Sequence, residues 1–222
     1  MNDLKRLIKS ARYPAALTGA GISAPSGIPT FQGNYKGRPL RDYLTRDYME
    51  DHPLDFFDLY CDMVKWCEKE PNLAHYALKE LNVRVITQNI DGLHAKAGST
   101  DALEMHGSLR FVLCHGCGWR EDSAEFAARY REARAQGDKA ARHALRCPVC
   151  GEAIDTDVVL YSDAVRHLSE AIDIASSCDL FLVIGTSLVT YPAAGLPDIA
   201  RQSGAKVIMI NDDCIKAFSD EE

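Results

Sequence analysis

The chain has 222 residues, of which 46% are hydrophobic and 26% are charged, and this composition is typical of a globular protein. Its formal net charge of −7 argues against the basic surface of a nucleic-acid-binding protein. No apolar run reaches the roughly 18 residues needed to span a bilayer, and the first residues lack the apolar core of a signal peptide. We therefore expect a cytoplasmic protein with no membrane association and no specific nucleic-acid partner.

Short apolar runs alternate with amphipathic stretches along the chain. The strand candidates share aliphatic or β-branched runs, and they are residues 15–18, 83–87, 102–105, 110–113, 157–160, 179–184 and 206–210. The helix candidates share apolar residues spaced three or four apart, and they are residues 2–12, 53–66, 73–81, 123–136, 164–177 and 193–202. This alternation predicts an α/β fold with a doubly wound parallel sheet. In such a sheet, ligands bind beyond the carboxyl ends of the strands.

Glycines and small hydroxyl residues follow several of these strands. Gly19-Ala20-Gly21 follows the first strand and resembles the start of a dinucleotide-binding turn, although Ala24 replaces the third glycine. A plain strand-to-helix turn explains this motif equally well. The ends of two later strands add Gly185, Thr186, Ser187 and Asn211, whose polar groups suit phosphate, ribose or adenosine contacts. Together these strand ends favour a nucleotide site.

A second polar group follows the strand at 83–87. Gln88, Asn89 and Asp91 occupy three of four consecutive positions, and such side chains are costly to bury without partners. They are expected to line a polar pocket. His106 lies at the end of the next strand candidate, where a histidine can act as a general base near neutral pH. His75 and His94 compete with it for that role, and each histidine taken alone is more often structural.

Four of the eight cysteines form two Cys-x-x-Cys pairs, separated by 29 residues. They are Cys114, Cys117, Cys147 and Cys150. Each pair can present two thiolates to one tetrahedral metal ion. Because four protein ligands leave no open coordination position, we expect one structural zinc ion. A redox pair or four free thiols are the alternatives. The other cysteines, among them Cys61 and Cys178, are expected in the core.

The motifs follow one another in a characteristic order. They are the segment 19–29, the segment 87–94 with its Asn-Ile-Asp-Gly run, His106-Gly107, the four cysteines, Gly185-Thr186-Ser187 and the segment 191–194. In this order they resemble the sirtuins, across nearly the whole chain. The resemblance implies an NAD-dependent protein-lysine deacylase. Such an enzyme removes the acetyl or related acyl group from lysine and gives nicotinamide and O-acyl-ADP-ribose.

The resemblance also implies a role for individual residues. It places NAD contacts at Gly19, Ala20, Gly21, Ser23, Phe31, Gln32, Gln88, Asn89, Ile90, Asp91, Gly185, Thr186, Ser187 and Asn211. Asn89 and Asp91 match the nicotinamide pocket, and Asn89 is also expected to be catalytic. His106 matches the histidine that acts as base toward a ribose hydroxyl. Val159, Leu160 and Tyr161 match the segment that binds the acyl-lysine peptide.

The family resemblance implies two domains. A Rossmann-like NAD-binding domain is expected at residues 1–34, 78–113 and 154–222. A helical insert at 35–77 and a zinc-binding module at 114–153 are expected to form a small inserted domain, which contains a helical part and a zinc ribbon. The expected partner is an acyl-lysine protein or peptide, and the expected oligomeric state is a monomer.

The sequence departs from the family pattern at two places. Gln32 stands where the family usually has arginine, and glutamine does not replace the lost charge. We therefore expect Gln32→Arg to raise NAD-dependent turnover. The substrate segment reads Val159-Leu160-Tyr161-Ser162-Asp163, whereas the family commonly has Val-Phe-Phe-Gly-Glu. These departures leave two alternatives open. One is NAD hydrolysis or ADP-ribosyl transfer, and the other is a non-catalytic module that binds NAD or ADP-ribose.

Overall fold

A computed structural model describes residues 2–30, 33–211 and 214–217. Its centre is a six-stranded sheet, and strands are numbered in chain order over the whole protein. The strands of this sheet are β1 (Pro14–Thr18), β4 (Arg84–Thr87), β5 (Leu103–Glu104), β9 (Leu180–Ile184), β10 (Lys206–Asn211) and β11 (Cys214–Ala217). They lie side by side in the order β11-β10-β9-β1-β4-β5. Neighbouring strands are parallel except β11, which runs antiparallel to β10. The predicted parallel α/β sheet is therefore confirmed.

Both faces of this sheet are covered, and this explains the continuous apolar runs of its strands. In β9, Phe181 and Val183 belong to one apolar cluster, whereas Leu180 and Leu182 belong to another. Successive side chains of a strand point to opposite faces, so the two clusters lie on opposite sides of the sheet. The helices around it are α1 (Asn2–Ser10), α4 (Leu73–Glu80), α5 (Leu93–Lys96), α8 (Leu168–Ser177) and α9 (Leu196–Gln202).

A smaller antiparallel sheet has its own core. It contains β6 (Gly107–Leu113), β7 (Arg120–Asp122) and β8 (Asp155–Val158) in the order β7-β6-β8. The helices beside it are α2 (Arg46–Asp51), α3 (Pro53–Val64), α6 (Ser123–Ala135) and α7 (Asp138–Ala144), and the short hairpin β2 (Asn34–Tyr35) and β3 (Arg38–Pro39) precedes them. In this core, Phe126 packs against Phe57 at 5.5 Å and against Tyr130 at 5.9 Å between ring centroids. Aromatic packing of this kind joins α3 to α6.

Several element bounds differ from those expected. The strand expected at 157–160 is β8, Asp155–Val158, because β8 pairs with β6 and the chain then leaves the small sheet. The helix expected from 164 begins at Leu168, since His167 before it has a φ of +54° that no helix accommodates. The short helix α7 was not predicted, and neither was β11 in the polar tail.

Other expectations about the core are met by the described residues. Cys61 and Cys178 are buried, as expected of core cysteines.

Among residues 2–30, 33–211 and 214–217, no helix is both long and apolar enough to cross a membrane.

Candidate functional site

Four polar strand ends lie side by side at one edge of the central sheet. Strands β10, β9, β1 and β4 are neighbours and run parallel, so their carboxyl ends meet at the same edge. The residues at these ends include Asn211, Gly185, Gly19 and Gln88. Strand β1 lies between β4 and β9. The next parallel strand in the chain, β4, is on one side of β1, and the later strand β9 is on the other side. The crevice at the end of β1 is therefore the topological switch point of the sheet. The sheet thus brings together the residues that were expected to bind a nucleotide.

The glycines of this edge permit close backbone contact between β1 and β9. The Gly21 amide donates to the Gly185 carbonyl oxygen at 2.8 Å. A Cβ atom on Gly21 would lie 2.7 Å from Gly185 Cα, and one on Gly185 would lie 2.3 Å from the Ile22 nitrogen. Gly185 also has a φ of +63°, which favours glycine. The packing of one loop on another therefore gives a reason for glycine here that is separate from any ligand.

Thr186 links three strand ends. Its hydroxyl accepts a hydrogen bond from Gln88 Nε2 at 3.0 Å, and its carbonyl oxygen accepts one from Asn211 Nδ2 at 3.5 Å. Three residues from three different strands therefore form one polar surface. Ser187 follows Thr186 and is exposed, and Ala20 is half-buried on the other side of the crevice.

Asn89 and Asp91 are buried in a hydrogen-bonded cluster around Ser23. Asn89 Nδ2 donates to Ser23 Oγ at 3.2 Å and to the Gly19 carbonyl oxygen at 3.1 Å. Ser23 Oγ donates to Asp91 Oδ2 at 2.7 Å, while the other Asp91 oxygen accepts the Leu93 amide at 2.9 Å. Ser23 lies in the 3₁₀ helix Ala20–Ser26, which takes the place of the α-helix usual after such a turn. Each of these three buried side chains thus has hydrogen-bond partners.

Two buried histidines, His75 and His94, support this cluster, a role that no motif in the sequence indicates. The Asn72 amide donates to His75 Nδ1 at 3.3 Å, so His75 Nε2 carries the proton that faces Ser23 Oγ at 3.5 Å. His94 Nε2 lies 2.9 Å from Thr18 Oγ1. Burial lowers the pKa of His75, and it lowers the pKa of His94 to about 3. Both imidazoles are therefore neutral. Because both rings are fully buried and their Nε2 atoms face Ser23 and Thr18, they support the cluster, and His106 stays the candidate base.

A small cavity lies against the cluster. It is lined by Ala20, Ile28, Trp66, Asn89, Ile90 and Asp91. The cavity combines apolar walls with one amide and one carboxylate. Its amide and carboxylate are groups that can pair with a carboxamide, but at about 10 Å³ the cavity must widen before an aromatic ring can enter. Phe31 and Gln32, which were expected beside it, lie outside the described residues, so their roles remain predictions.

His106 is half-buried beside Gln88, between β5 and β6. Its Nδ1 atom lies 2.9 Å from the Gln88 carbonyl oxygen. Burial lowers the pKa of His106, and the hydrogen bond to Gln88 raises it part of the way back. The next residue, Gly107, has a φ of +72°, and a Cβ atom there would lie 1.9 Å from the Asp157 carbonyl oxygen. The turn at His106 thus requires glycine after it.

The expected substrate segment begins at the backbone of His106. The Val159 amide donates to the His106 carbonyl oxygen at 2.8 Å, and the Tyr161 amide donates to the Leu44 carbonyl oxygen at 2.8 Å. Leu160 is buried, whereas the Tyr161 side chain is exposed. The segment 159–161 therefore crosses from the candidate base to the loop before α2.

The four paired cysteines converge, as the spacing predicted. Their Sγ atoms all lie within 4.8 Å of one another, with Cys114 to Cys150 at 3.4 Å and Cys117 to Cys147 at 3.6 Å. Four sulfurs at about 2.3 Å from a zinc ion would be about 3.8 Å apart, so the cluster fits tetrahedral zinc. These separations exceed the S–S bond of about 2.05 Å in a disulfide.

The backbone of each cysteine pair forms a matching turn. The Gly118 amide donates to the Cys114 carbonyl oxygen and the Gly151 amide to the Cys147 carbonyl oxygen, both at 2.9 Å. Gly118 and Gly151 have φ angles of +74° and +79°, so each turn ends on a residue in the left-handed region. The sequence therefore builds two equivalent turns, and they meet at one metal site.

These features define a class of protein. A parallel α/β sheet carries a polar crevice at its switch point, and a small antiparallel sheet beside it carries a four-cysteine metal site. This combination is that of a nucleotide-dependent enzyme with a structural zinc module.

Comparison with known proteins identifies the family. The sequence profile of the Sir2 family matches residues 19–192. The chain is 37% identical to NAD-dependent protein deacetylase 1 of Pyrobaculum aerophilum, over 96% of this chain and 84% of that protein. The chain therefore belongs to the Sir2 family, the sirtuins.

Solved structures agree with this assignment. The crystal structure of a Sir2 homologue–NAD complex superposes with a TM-score of 0.81 and 33% identity, covering 96% of this chain and 83% of that one. Sir2Tm bound to a propionylated peptide has a TM-score of 0.81 and 32% identity, covering 95% of this chain and 86% of that one.

Proposed function

We propose that this protein removes acetyl or related acyl groups from lysine side chains in an NAD-dependent reaction. The products are free lysine, nicotinamide and O-acyl-ADP-ribose, and NAD supplies the ribose that takes up the acyl group. The carrying observation is that the segment after β4 serves both groups: the Gln88 carbonyl oxygen orients His106, and the next residues supply the buried Asn89 and Asp91. Relatives named NAD-dependent protein deacetylase or deacylase support the proposal.

The buried cluster binds the part of NAD that leaves. Asn89 and Asp91 contribute the polar atoms of the small cavity, and Ile90 contributes an apolar wall. Because Ser23 bonds to both side chains, the amide and the carboxylate keep a fixed spacing before substrate arrives. Fixed polar groups lose little entropy on binding, so they favour one orientation of the carboxamide.

His106 acts as the general base. The Gln88 carbonyl oxygen can only accept, so His106 Nδ1 carries a proton and Nε2 keeps its lone pair. The lowered pKa keeps the ring neutral at physiological pH. A neutral ring with a free Nε2 can remove a proton from a ribose hydroxyl.

The remaining NAD contacts follow from the strand ends. Gly19, Ala20 and Gly21 line the β1 turn, and Gly185, Thr186 and Ser187 line the β9 turn. Gln88 and Asn211 flank Thr186 on its two sides. We infer that this surface holds the phosphates and the adenosine, and that Phe31 and Gln32 complete it.

The remaining proposals concern the zinc site, the domains and the oligomeric state. The four cysteines would hold one zinc ion in a closed tetrahedral site, which stabilises the small sheet and leaves no position for substrate. We infer the same two domains, but with residues 107–113 and 155–158 in the small domain, because β6 and β8 pair within the small sheet. We also infer a cytoplasmic monomer that binds no specific nucleic acid.

The test is nicotinamide release by the purified protein with NAD, measured with and without an acetyl-lysine peptide. We expect release to require the peptide and to fall by at least about a hundredfold in His106→Ala. His143→Ala is the matched control, because it removes an exposed histidine of α7.

Each other outcome contradicts the proposal in a different way. Peptide-independent release would indicate an NAD hydrolase or an ADP-ribosyltransferase. Binding of NAD without release, over a panel of acyl chains, would indicate a non-catalytic binding module. Full activity in His106→Ala would remove His106 from the mechanism.

A further inference from the structure

Arg46 joins two carboxylates from opposite ends of the segment that leaves the small sheet. Its Nη1 atom lies 2.9 Å from Asp155 Oδ2, and its Nη2 atom lies 2.7 Å from Asp163 Oδ2. Asp155 begins β8, whereas Asp163 follows the expected substrate residues Val159, Leu160 and Tyr161. One guanidinium group at the start of α2 therefore binds one carboxylate before and one carboxylate after the substrate segment.

This ion-pair network is partly shielded from water. The side chains of Arg46, Asp155 and Asp163 are 29%, 12% and 27% exposed. Partial burial would raise the pKa of the Asp163 carboxyl, but hydrogen bonds from Arg46 and from the Leu160 amide lower it below its usual value. Asp163 is therefore ionised at neutral pH. Shielded pairs with good geometry are stronger than the exposed ion pairs of a protein surface.

Asp163 in turn fixes the backbone of the segment. Its Oδ2 atom accepts the Leu160 amide at 3.1 Å, and its own amide donates to the Leu160 carbonyl oxygen at 3.0 Å. Ser162 between them has a φ of +80°, a conformation that few residues other than glycine adopt. The Asp163 carboxylate thus closes a strained turn, and Arg46 holds the carboxylate.

The turn leaves the Ser162 amide without a hydrogen-bond acceptor among the described residues. The amides of Val159, Leu160, Tyr161 and Asp163 all donate within the protein. Ser162 is exposed, and its amide makes no hydrogen bond to any described residue. Val159, three residues before Ser162, donates its amide to the His106 carbonyl oxygen.

The same network reaches the zinc module. His115 lies between the first two cysteines, and its Nε2 atom is 3.0 Å from Asp155 Oδ2. Arg46 therefore connects the cysteine turn, the helical part and the substrate segment through two shared carboxylates. Without Arg46, Asp155 and Asp163 would lack their common cation.

We propose that Arg46 is a positioning residue for the acyl-lysine peptide, because its pairing with Asp163 holds the 160–163 turn and so presents the Ser162 amide to the peptide backbone. This inference rests on the proposed function, since the peptide is the substrate of that reaction. A peptide backbone that adds to an exposed edge takes its affinity from such main-chain hydrogen bonds. The ion pair is thus a determinant of peptide affinity and not of NAD affinity.

The test compares Asp163→Asn, Arg46→Ala and Arg46→Lys with the zinc-loaded wild-type protein. We expect the KM for the acetyl-lysine peptide to rise about tenfold in Asp163→Asn and Arg46→Ala, a change of about 1.4 kcal/mol. The KM for NAD and the zinc content stay unchanged. Arg46→Lys keeps one charge without the two-armed geometry, so its peptide KM lies between those of the wild type and Arg46→Ala.

Hydrogen exchange of the Leu160 amide provides a readout that needs no activity. We expect this amide to exchange faster in Asp163→Asn, because its acceptor is weakened. Asp101→Asn is the matched control: it breaks the exposed Arg84–Asp101 pair, whose atoms are 2.6 Å apart, far from the substrate segment in the chain. The control variant keeps the wild-type peptide KM and Leu160 exchange.

The two failures are distinguishable. If the wild-type protein shows no peptide-dependent nicotinamide release, the proposed function is wrong. If the wild type is active but the variants keep its peptide KM, or raise the KM for NAD equally, the role of Arg46 is wrong. Unchanged Leu160 exchange in Asp163→Asn would also overturn it, because the turn would then not depend on the carboxylate.

Discussion

The Nδ1 atom of His106 lies 2.9 Å from the carbonyl oxygen of Gln88. A carbonyl oxygen has no proton to give, so this contact assigns the proton of the neutral ring to Nδ1. The same β4 end continues into Asn89 and Asp91, which are buried around Ser23. One short segment after β4 therefore orients the candidate base and also supplies the polar lining of the small cavity.

The first prediction concerns the pH dependence of deacylation. Because burial lowers the pKa of His106, the free enzyme keeps its neutral base below the usual imidazole value of about 6.5. Protonation removes the base, so kcat/KM for the peptide falls only when the pH drops through the lowered pKa. We expect the midpoint of this acid limb below about pH 6.5. A midpoint above about pH 7 would contradict a lowered pKa for His106 as the base.

The second prediction concerns the glycine beside this base. In Gly107→Ala the new Cβ would lie 1.9 Å from the Asp157 carbonyl oxygen, so the backbone of β8 must move. We expect a loss of about 3 kcal/mol in the free energy of unfolding, from strain and from the clash together. Urea denaturation measures it. Activity should fall as well, since His106 is the preceding residue.

A matched glycine separates the two causes. Gly204 has a φ of +94°, but a Cβ atom added to it would meet no atom within 4 Å. Gly204→Ala therefore carries the cost of the left-handed backbone alone, about 1 kcal/mol. Equal losses in the two variants would show that the contact with Asp157 contributes nothing.

The third prediction concerns stability in mild acid. Burial, and then the neighbouring His75, lower the pKa of His94 to about 3. The unfolded chain binds a proton at about pH 6.5 that the folded protein excludes, so the free energy of unfolding rises with pH across this range. We expect stability to fall by about 1 kcal/mol for this histidine as the pH is lowered from about 6.5 to about 5.5.

A variant tests whether His94 is the source. The Thr18 hydroxyl donates to Thr87 Oγ1, so His94 Nε2 donates to Thr18 Oγ1 at 2.9 Å; glutamine can still donate there but does not titrate. His94→Gln should therefore show a shallower decline, whereas the exposed-site variant His143→Gln should match the wild type. A His94→Gln protein with the wild-type pH slope would assign that slope to other groups, such as His75 and His106.

The sequence predicted the parts of the fold that depend on local pattern. Strands such as β9 are buried on both faces, and a run such as Leu180 to Ile184 carries that information by itself. The metal site was equally predictable, because the two cysteine pairs need only their spacing and a turn. The polar residues after β4 were predicted for a similar reason, since buried amide and acid groups need partners.

Other features depend on contacts between distant segments. His94 meets Thr18 from 76 positions away, and Arg46 meets Asp163 from 117 positions away. Neither pair leaves a periodic or spaced signal in the sequence. The pairing within the small sheet was missed for the same reason, because β6 pairs with β8 across the whole zinc module.

The last prediction concerns removal of the metal. Four thiolates packed within 4.8 Å repel one another unless a cation compensates their charge, so metal binding and folding of this module are coupled. If free zinc is present at a thousand times its Kd, its binding adds about 4 kcal/mol to the free energy of unfolding. Chelation would then lower the Tm by about 8–16 °C. Cys147→Ser should lose zinc, and its Tm without chelator should be similar to that of the chelated wild-type protein. Cys178→Ala changes a buried cysteine beside β9 and should keep one zinc per chain.

Chelation should also affect the substrate segment, because Asp155 binds both His115 and Arg46. We expect the Leu160 amide to exchange faster after chelation. If its protection survives chelation, the substrate segment does not depend on the zinc module.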